Sequence, residues 1–381
     1  MKIGFDFRMG GSINAGIGRY SFELLKQLLD LKQDEYIVFF NPENVNQTDL
    51  KVIEEKGGKL VAAPFRHYSF GEQVKFPKLL NQFNLDLVHF PNFNVPVFYK
   101  GDFVTTIHDM VHHKISGHKK SRYWKFLAYK YVMNFAAEKS KAIFTVTESS
   151  KKEIIDYLNI DPDKIIVTHL APDRYEGTIT SIETLKERYL LRRPYLLFLG
   201  ALERKKNVVG LVRGFDAFLK KYKYDINLVL IGRVDPYYPE VKQECLEIAH
   251  KDNLVFTGFV SNADQAAFYQ NAFAFISASL HEGFGLPGLE AMQYGIPVLA
   301  TNSEVFNEVY DNAAIYFDAE NPDDIADKIN LLVSDQPFYE SMQEKSVKRS
   351  NLFDWKLTAE KTNQVYHEIK QQIFNPEPEI E

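Results

Sequence analysis

Short apolar runs of strand length recur along this chain, each followed by a stretch of helical period, and the whole series runs twice. The first series opens with KIGFDF (2–7) and continues through YIVFF (36–40), 59–62, DLVHF (86–90), FVTTI (103–107), AIFTV (142–146) and 165–168. Helical stretches stand between them, near 19–31, 72–83, 121–138 and 149–158. The rhythm restarts at YLLFLG (195–200), with strands near 227–231, 254–256, 272–276, 297–300 and 314–317. The helices of this half are expected near 207–222, 238–250, 262–270, 286–294, 303–309 and 322–333. Apolar runs without polar alternation belong to strands buried on both faces, and alternation with helices gives a parallel sheet covered on both sides. In such sheets ligands bind beyond the carboxyl ends of the strands.

The expected class is therefore α/β, with two Rossmann-like domains over 1–170 and 195–350 and a connection over 171–194. A length of 381 residues accommodates them. The net charge of −6 argues against broad nucleic-acid binding. The single cysteine, Cys245, excludes a disulfide framework. No apolar run reaches the ~18–20 residues of a membrane span, and KIGFDF enters a strand directly, so a cytoplasmic protein is expected.

The loops after the strands carry the chemistry. HEGFGLPGLE (281–290) follows the strand AFAFIS, and Pro287 falls where a helix begins. Gly283 and Gly285 around Phe284, just before a helix, expose backbone N–H groups that favour an anionic or hydroxylated ligand. Glu282 and Glu290 flank those donors, and carboxylates accept well from vicinal hydroxyls, so a sugar fits. After the strand at 195–199, Arg204, Lys205 and Lys206 cluster before a helix and form a phosphate site. Arg233, after LVLIG, is a second candidate for phosphate or base. The loop 8–18 is glycine-rich, and His108 and Asp109 follow FVTTI. The tripeptide Asp161-Pro162-Asp163 reads as a turn rather than a metal-binding D-x-D. Thr147 to Ser150 reads as a helix N-cap cluster. The basic and aromatic stretch 112–135 reads either as a core-facing helix with a basic outer face or as a surface for anionic lipid or a lipid-diphosphate acceptor.

The run E-G-F-G-L-P-x-L-E-A-M-x-x-G-x-P-V, complete from Glu282 to Val298, resembles the acidic motif of retaining GT-B glycosyltransferases, in particular glycosyltransferase family 4. The resemblance implies two Rossmann-like domains facing across a cleft, the donor mainly on the second and the acceptor mainly on the first. It implies that Glu282 faces the donor sugar and Glu290 binds the ribose. Amides near Phe284, Gly285 and Leu286 would hold sugar hydroxyls and phosphate. T-I-H-D resembles the motif whose histidine, here His108, contacts the donor sugar. L-E-x-x-K-N resembles the diphosphate motif, which assigns Lys206 with Lys205 beside it. Ala201 stands where many members carry an arginine, so Arg204 or Lys205 would substitute. Gly16, Gly18 and Arg19 would lie against the diphosphate and the acceptor. Backbone at Gly258, Phe259 and Val260 would hold the base. F-x-W-x-x-x-A (353–359) resembles the segment whose helix, here 354–374, returns to the first domain.

The implied reaction moves a hexose from a nucleotide-diphosphate sugar to a hydroxyl with retention, without a metal or other cofactor. The motifs together are similar to the mannosyltransferase-like branch of bacterial polysaccharide assembly. That implies GDP-mannose and a polyprenyl-diphosphate-linked glycan, at the inner face of the membrane, with UDP-glucose, UDP-galactose and N-acetylhexosamine donors still open. A nucleotide-sugar epimerase, a phosphorylase or a non-catalytic sugar-nucleotide binding subunit are the alternatives.

Overall fold

The structure is a computed structural model that describes residues 1–11, 14–110, 123–173, 175–191, 193–236 and 238–374. The basic stretch over 111–122 and the acidic tail 375–381 lie outside the described residues. The chain divides into two units, Met1–Leu170 with Asp354–Glu381, and Ala171–Phe353.

The first unit holds a seven-stranded sheet: β1 Lys2–Asp6, β2 Glu35–Phe40, β3 Lys59–Ala62, β4 Leu87–Phe90, β5 Phe103–Thr106, β6 Ile143–Thr145 and β7 Ile165–Val167. Its spatial order is β3-β2-β1-β4-β5-β6-β7. The second unit holds six strands: β8 Tyr195–Leu199, β9 Asn227–Ile231, β10 Leu254–Gly258, β11 Ala274–Ser277, β12 Val298–Thr301 and β13 Ala314–Phe317. Their order is β10-β9-β8-β11-β12-β13. Among the described residues the strand pairings of both sheets are parallel; Ile3 sits between Tyr36 and Leu87, and Leu197 between Val229 and Phe275. In each unit the first strand lies beside the fourth, so the order reverses there and a crevice opens beyond the strand ends.

The strands are where the apolar runs put them, because a strand buried on both faces needs nothing but apolar side chains. Leu196, Phe198, Phe215, Ile276 and Ile329 form part of one core, and Ile37, Phe39, Phe76, Val88 and Phe90 part of another. Burying each such side chain stabilises by about 1.5–3 kcal/mol.

Helix ends depart from expectation in instructive ways. The first helix runs Ala15–Leu31, so Gly16 and Gly18 lie in its first turns and not in the preceding loop, and Arg19 is helical as expected. At Gly18 a Cβ would overlap the Gly11 carbonyl, and Gly11 N–H donates to the Gly18 carbonyl at 2.9 Å. Close packing of loop on helix, not loop conformation, explains that glycine. Helices Gln47–Glu55 and Gln336–Ser350 were not anticipated; Asn46 and Asp335 cap them. Residues 171–194, expected as a connection, group with the second unit and contain the helix Ile182–Tyr189. Asp264 holds that segment by accepting from Thr180 at 2.6 Å, Arg188 at 2.5 Å and Tyr189 at 2.8 Å.

The local cap readings hold. Thr147 Oγ1 accepts from Ser150 N–H at 3.0 Å, and Asp161 accepts from Asp163 N–H at 3.0 Å in a turn. The helix Trp355–Phe374 packs in the first unit, where Tyr366 reaches His89 at 2.5 Å. Among the described residues no helix is long and apolar enough to cross a membrane.

Candidate active site

In the second unit the order reverses between β8 and β11. The loop after β8 carries Arg204, Lys205 and Lys206 in a single 3-10 turn. The loop after β11 carries Glu282 and the glycine turn. Leu280 N–H donates to the Lys205 carbonyl at 2.9 Å and fastens one loop to the other. As a result Lys206 Nζ donates to Glu282 Oε1, with both side chains only 17 % exposed. A pair so shielded is screened less by salt than a surface pair.

The helix Leu286–Gln293 starts after Gly285, whose φ of 98° is left-handed and suits glycine. Tyr310, which no motif singles out, fixes this turn. Its hydroxyl donates to the Gly285 carbonyl at 2.6 Å, and its ring stacks on Phe306 at 5.0 Å. A Cβ at Gly285 or Gly288 would run into that hydroxyl. Burial, with the Glu282 charge adding to it, pushes the Tyr310 phenol well above its ordinary pKa, so it stays a donor. Glu290, on the helix, is buried, and Tyr269 donates to its Oε2 at 2.9 Å. Phe284 is buried against Phe353, so the site can use its backbone but not its ring face. Gly283 and Leu286 flank the turn as expected.

The other cations expected near a phosphate have carboxylate partners. Arg204 bonds Glu240 at 3.0 Å and Glu244 at 2.7 Å, and Lys205 lies 3.3 Å from Glu203. Arg233 stacks its guanidinium over Phe259 at 5.1 Å, beside Gly258 and buried Val260. Gly232 closes the strand ends here: its N–H donates to the Gly258 carbonyl at 3.0 Å, and a Cβ would meet the Gly200 carbonyl.

In the first unit His108 follows β5. Its Nε2–H donates to the Pro91 carbonyl at 3.0 Å, since a carbonyl can only accept. Burial lowers its pKa, with the Pro91 carbonyl and Asp109 opposing, and the neutral ring then offers Nδ1 as an acceptor. The Tyr20 and His108 rings meet edge to face with their centroids 4.7 Å apart. Behind it, buried His89 bonds Thr106 at 2.9 Å and Thr106 bonds Tyr20 at 3.0 Å. A Cβ at Gly16 would meet nothing within 4 Å, so no close approach within the chain demands glycine there. The sequence reading also missed Arg8, wholly buried between Asp6 (2.7 Å) and Glu72 (2.9 Å).

Two parallel sheets of this order, each with its crevice at the reversal, define a GT-B-type α/β protein. A glycosyltransferase from Rickettsia africae superposes with a TM-score of 0.73 at 19 % identity, over 97 % of this chain and 98 % of that one. Anabaena HepE, crystallised with UDP and glucose, superposes with a TM-score of 0.74 at 16 % identity, over 96 % and 99 %. In sequence, residues 14–174 match Glycosyltransferase Family 4 and residues 181–349 match Glycosyl transferases group 1. The chain belongs to this glycosyltransferase family. It is 30 % identical over 231 residues to the serotype-specific mannosyltransferase WbdA of Escherichia coli, which covers 58 % of this chain and only 28 % of that longer protein. It is 27 % identical to the O-antigen chain mannosyltransferase B of Escherichia coli over 92 % of this chain and 95 % of that one.

Proposed function

We propose that this chain transfers a hexose from a nucleotide-diphosphate sugar to a glycan hydroxyl with retention at the anomeric carbon. The observation that carries the proposal is the contact of Lys206 with Glu282 beside the left-handed turn at Gly285. A lysine, a helix N-terminus and a carboxylate are brought together at the strand ends. Lys206 and the helix end would neutralise the departing diphosphate, which gains charge in the transition state. Glu282 would orient the sugar and stabilise positive charge on an oxocarbenium-like ring. Glu290, held by Tyr269, would take the ribose. The neutral His108 would accept from a sugar hydroxyl at Nδ1. The leaving phosphate would take the acceptor proton, so the proposal needs no metal.

The favoured donor is GDP-mannose and the favoured acceptor a polyprenyl-diphosphate-linked glycan of a bacterial surface polysaccharide. Support comes from relatives described as a serotype-specific mannosyltransferase and an O-antigen chain mannosyltransferase. Work at the inner face of the cell membrane follows from such an acceptor. A UDP-sugar donor is the second reading. A thermal-shift panel of GDP, UDP and their sugars tests both. A nucleotide at about 100 times its Kd adds about 2.7 kcal/mol of stability. A shift with GDP and none with UDP supports mannose, the reverse supports the second reading, and no shift with either defeats the proposal. Consumption of donor without acceptor would instead indicate an epimerase.

A further inference from the structure

The first unit has its own reversal, between β1 and β4, where Arg8 and the residues just after β4 have so far carried no substrate role. Asp6 ends β1 and Arg8 follows it; Asn92, Phe93 and Asn94 follow β4. Arg8 is wholly buried, bonded to Asp6 through Nε at 2.8 Å and Nη2 at 2.7 Å and paired with Glu72. Burying such charges is costly unless pairing and further hydrogen bonds offset their desolvation, so what these charges hold is informative. What they hold is Tyr68. Glu72 Oε2 accepts from Tyr68 N–H at 2.8 Å, and its Oε1 accepts from Asn94 at 2.8 Å.

Tyr68 has a φ of 57°, left-handed and strained for a bulky residue, yet the residue is 65 % exposed. A strained backbone under an exposed aromatic contributes nothing to a core. Its ring lies 6.5 Å from Phe93, and Phe93 lies 5.1 Å from Tyr129. An aromatic row therefore runs past the strand ends, flanked by the side-chain amide of Asn94 and by His67, which are 3.4 Å apart. The charges below do not favour an anion, because one guanidinium faces two carboxylates.

We infer that Tyr68 is a stacking platform for a neutral pyranose ring, with Phe93 and Tyr129 extending the surface, and that this ring belongs to the acceptor glycan. Aromatic faces and amides suit a sugar's C–H face and hydroxyls, and a ring whose backbone is pinned by Glu72 gives orientation that a lipid tail does not need. Only the word acceptor rests on the glycosyltransferase reading.

The test titrates the full chain with mannobiose, maltose and lactose by saturation-transfer NMR, with pyrophosphate and phosphatidylglycerol vesicles as separate arms. Wild type should bind at least one of the disaccharides. Tyr68→Ala should weaken that binding about tenfold, the loss of one aromatic stack with its buried area, and Tyr68→Phe should retain it. Nucleoside diphosphate binding should be the same in all three proteins. Wild-type affinity in Tyr68→Ala, absence of sugar binding by wild type, displacement of sugar by pyrophosphate, or vesicle binding through Tyr68 in place of sugar would each overturn the inference. Failure of nucleotide binding would count against the transferase reading alone and leave the sugar titration to stand.

Discussion

Lys206 Nζ lies against Glu282 Oε1, so the cation assigned to the diphosphate is held by the carboxylate assigned to the sugar. A diphosphate must compete with Glu282 for that lysine. Glu282→Gln should therefore tighten binding of GDP or UDP by about 0.2–1 kcal/mol, up to roughly fivefold, while transfer is lost. Lys206→Ala should weaken nucleotide binding by about 1.5–3 kcal/mol and also abolish transfer. Calorimetric titration of both variants decides; unchanged or weaker nucleotide binding in Glu282→Gln would remove the competition.

Tyr310 makes the second prediction. Tyr310→Phe keeps the stack on Phe306 but strips the Gly285 carbonyl of its hydroxyl partner. The expected cost is about 1–3 kcal/mol in stability. If the turn positions the donor, kcat should fall further than a stability loss explains. Steady-state kinetics well below the melting temperature check this, and wild-type kcat would show that the bond is structural only.

Acid should weaken the first unit through His89. Burial lowers its pKa to about 3, with His108 adding, against 6.5 when unfolded. Above 6.5 both states are neutral. Below it the unfolded chain takes up a proton that the folded chain refuses, so stability falls by about 1.4 kcal/mol per pH unit between roughly 6.5 and 3. Urea melts at pH 7 and pH 5 should show a larger acid loss in wild type than in His89→Gln. Equal losses would mean that His89 does not titrate in this way.

Breaking the buried ion group should be severe. Arg8→Met leaves Asp6 and Glu72 without their shared cation, at a cost of about 3–5 kcal/mol. Chemical denaturation measures it. A loss under about 1 kcal/mol would mean that the carboxylates find other partners or take up protons.

Much of the architecture was readable from period alone. The runs at Tyr195–Leu199 and 228–231 are almost wholly apolar because both faces are covered, and that needs no knowledge of neighbours. The cap at Thr147 and the turn at Asp161 were readable for the same reason, since each acts within three residues. The helix Ile182–Tyr189 carries a local cap at Ser181 as well, but its place in the second unit depends on Asp264, from a distant part of the chain.

By itself the sequence determined the strand series, the glycine turn before Leu286–Gln293 and the presence of Glu282 and Lys206, because period and local backbone chemistry are written in consecutive residues. Only the tertiary structure decided that Lys206 meets Glu282, that Tyr310 pins Gly285 and that Arg8 reaches Glu72 beneath Tyr68. Those contacts depend on which strands become neighbours, and strand order is set by packing across whole crossovers, which leaves no mark on the residues beside each partner.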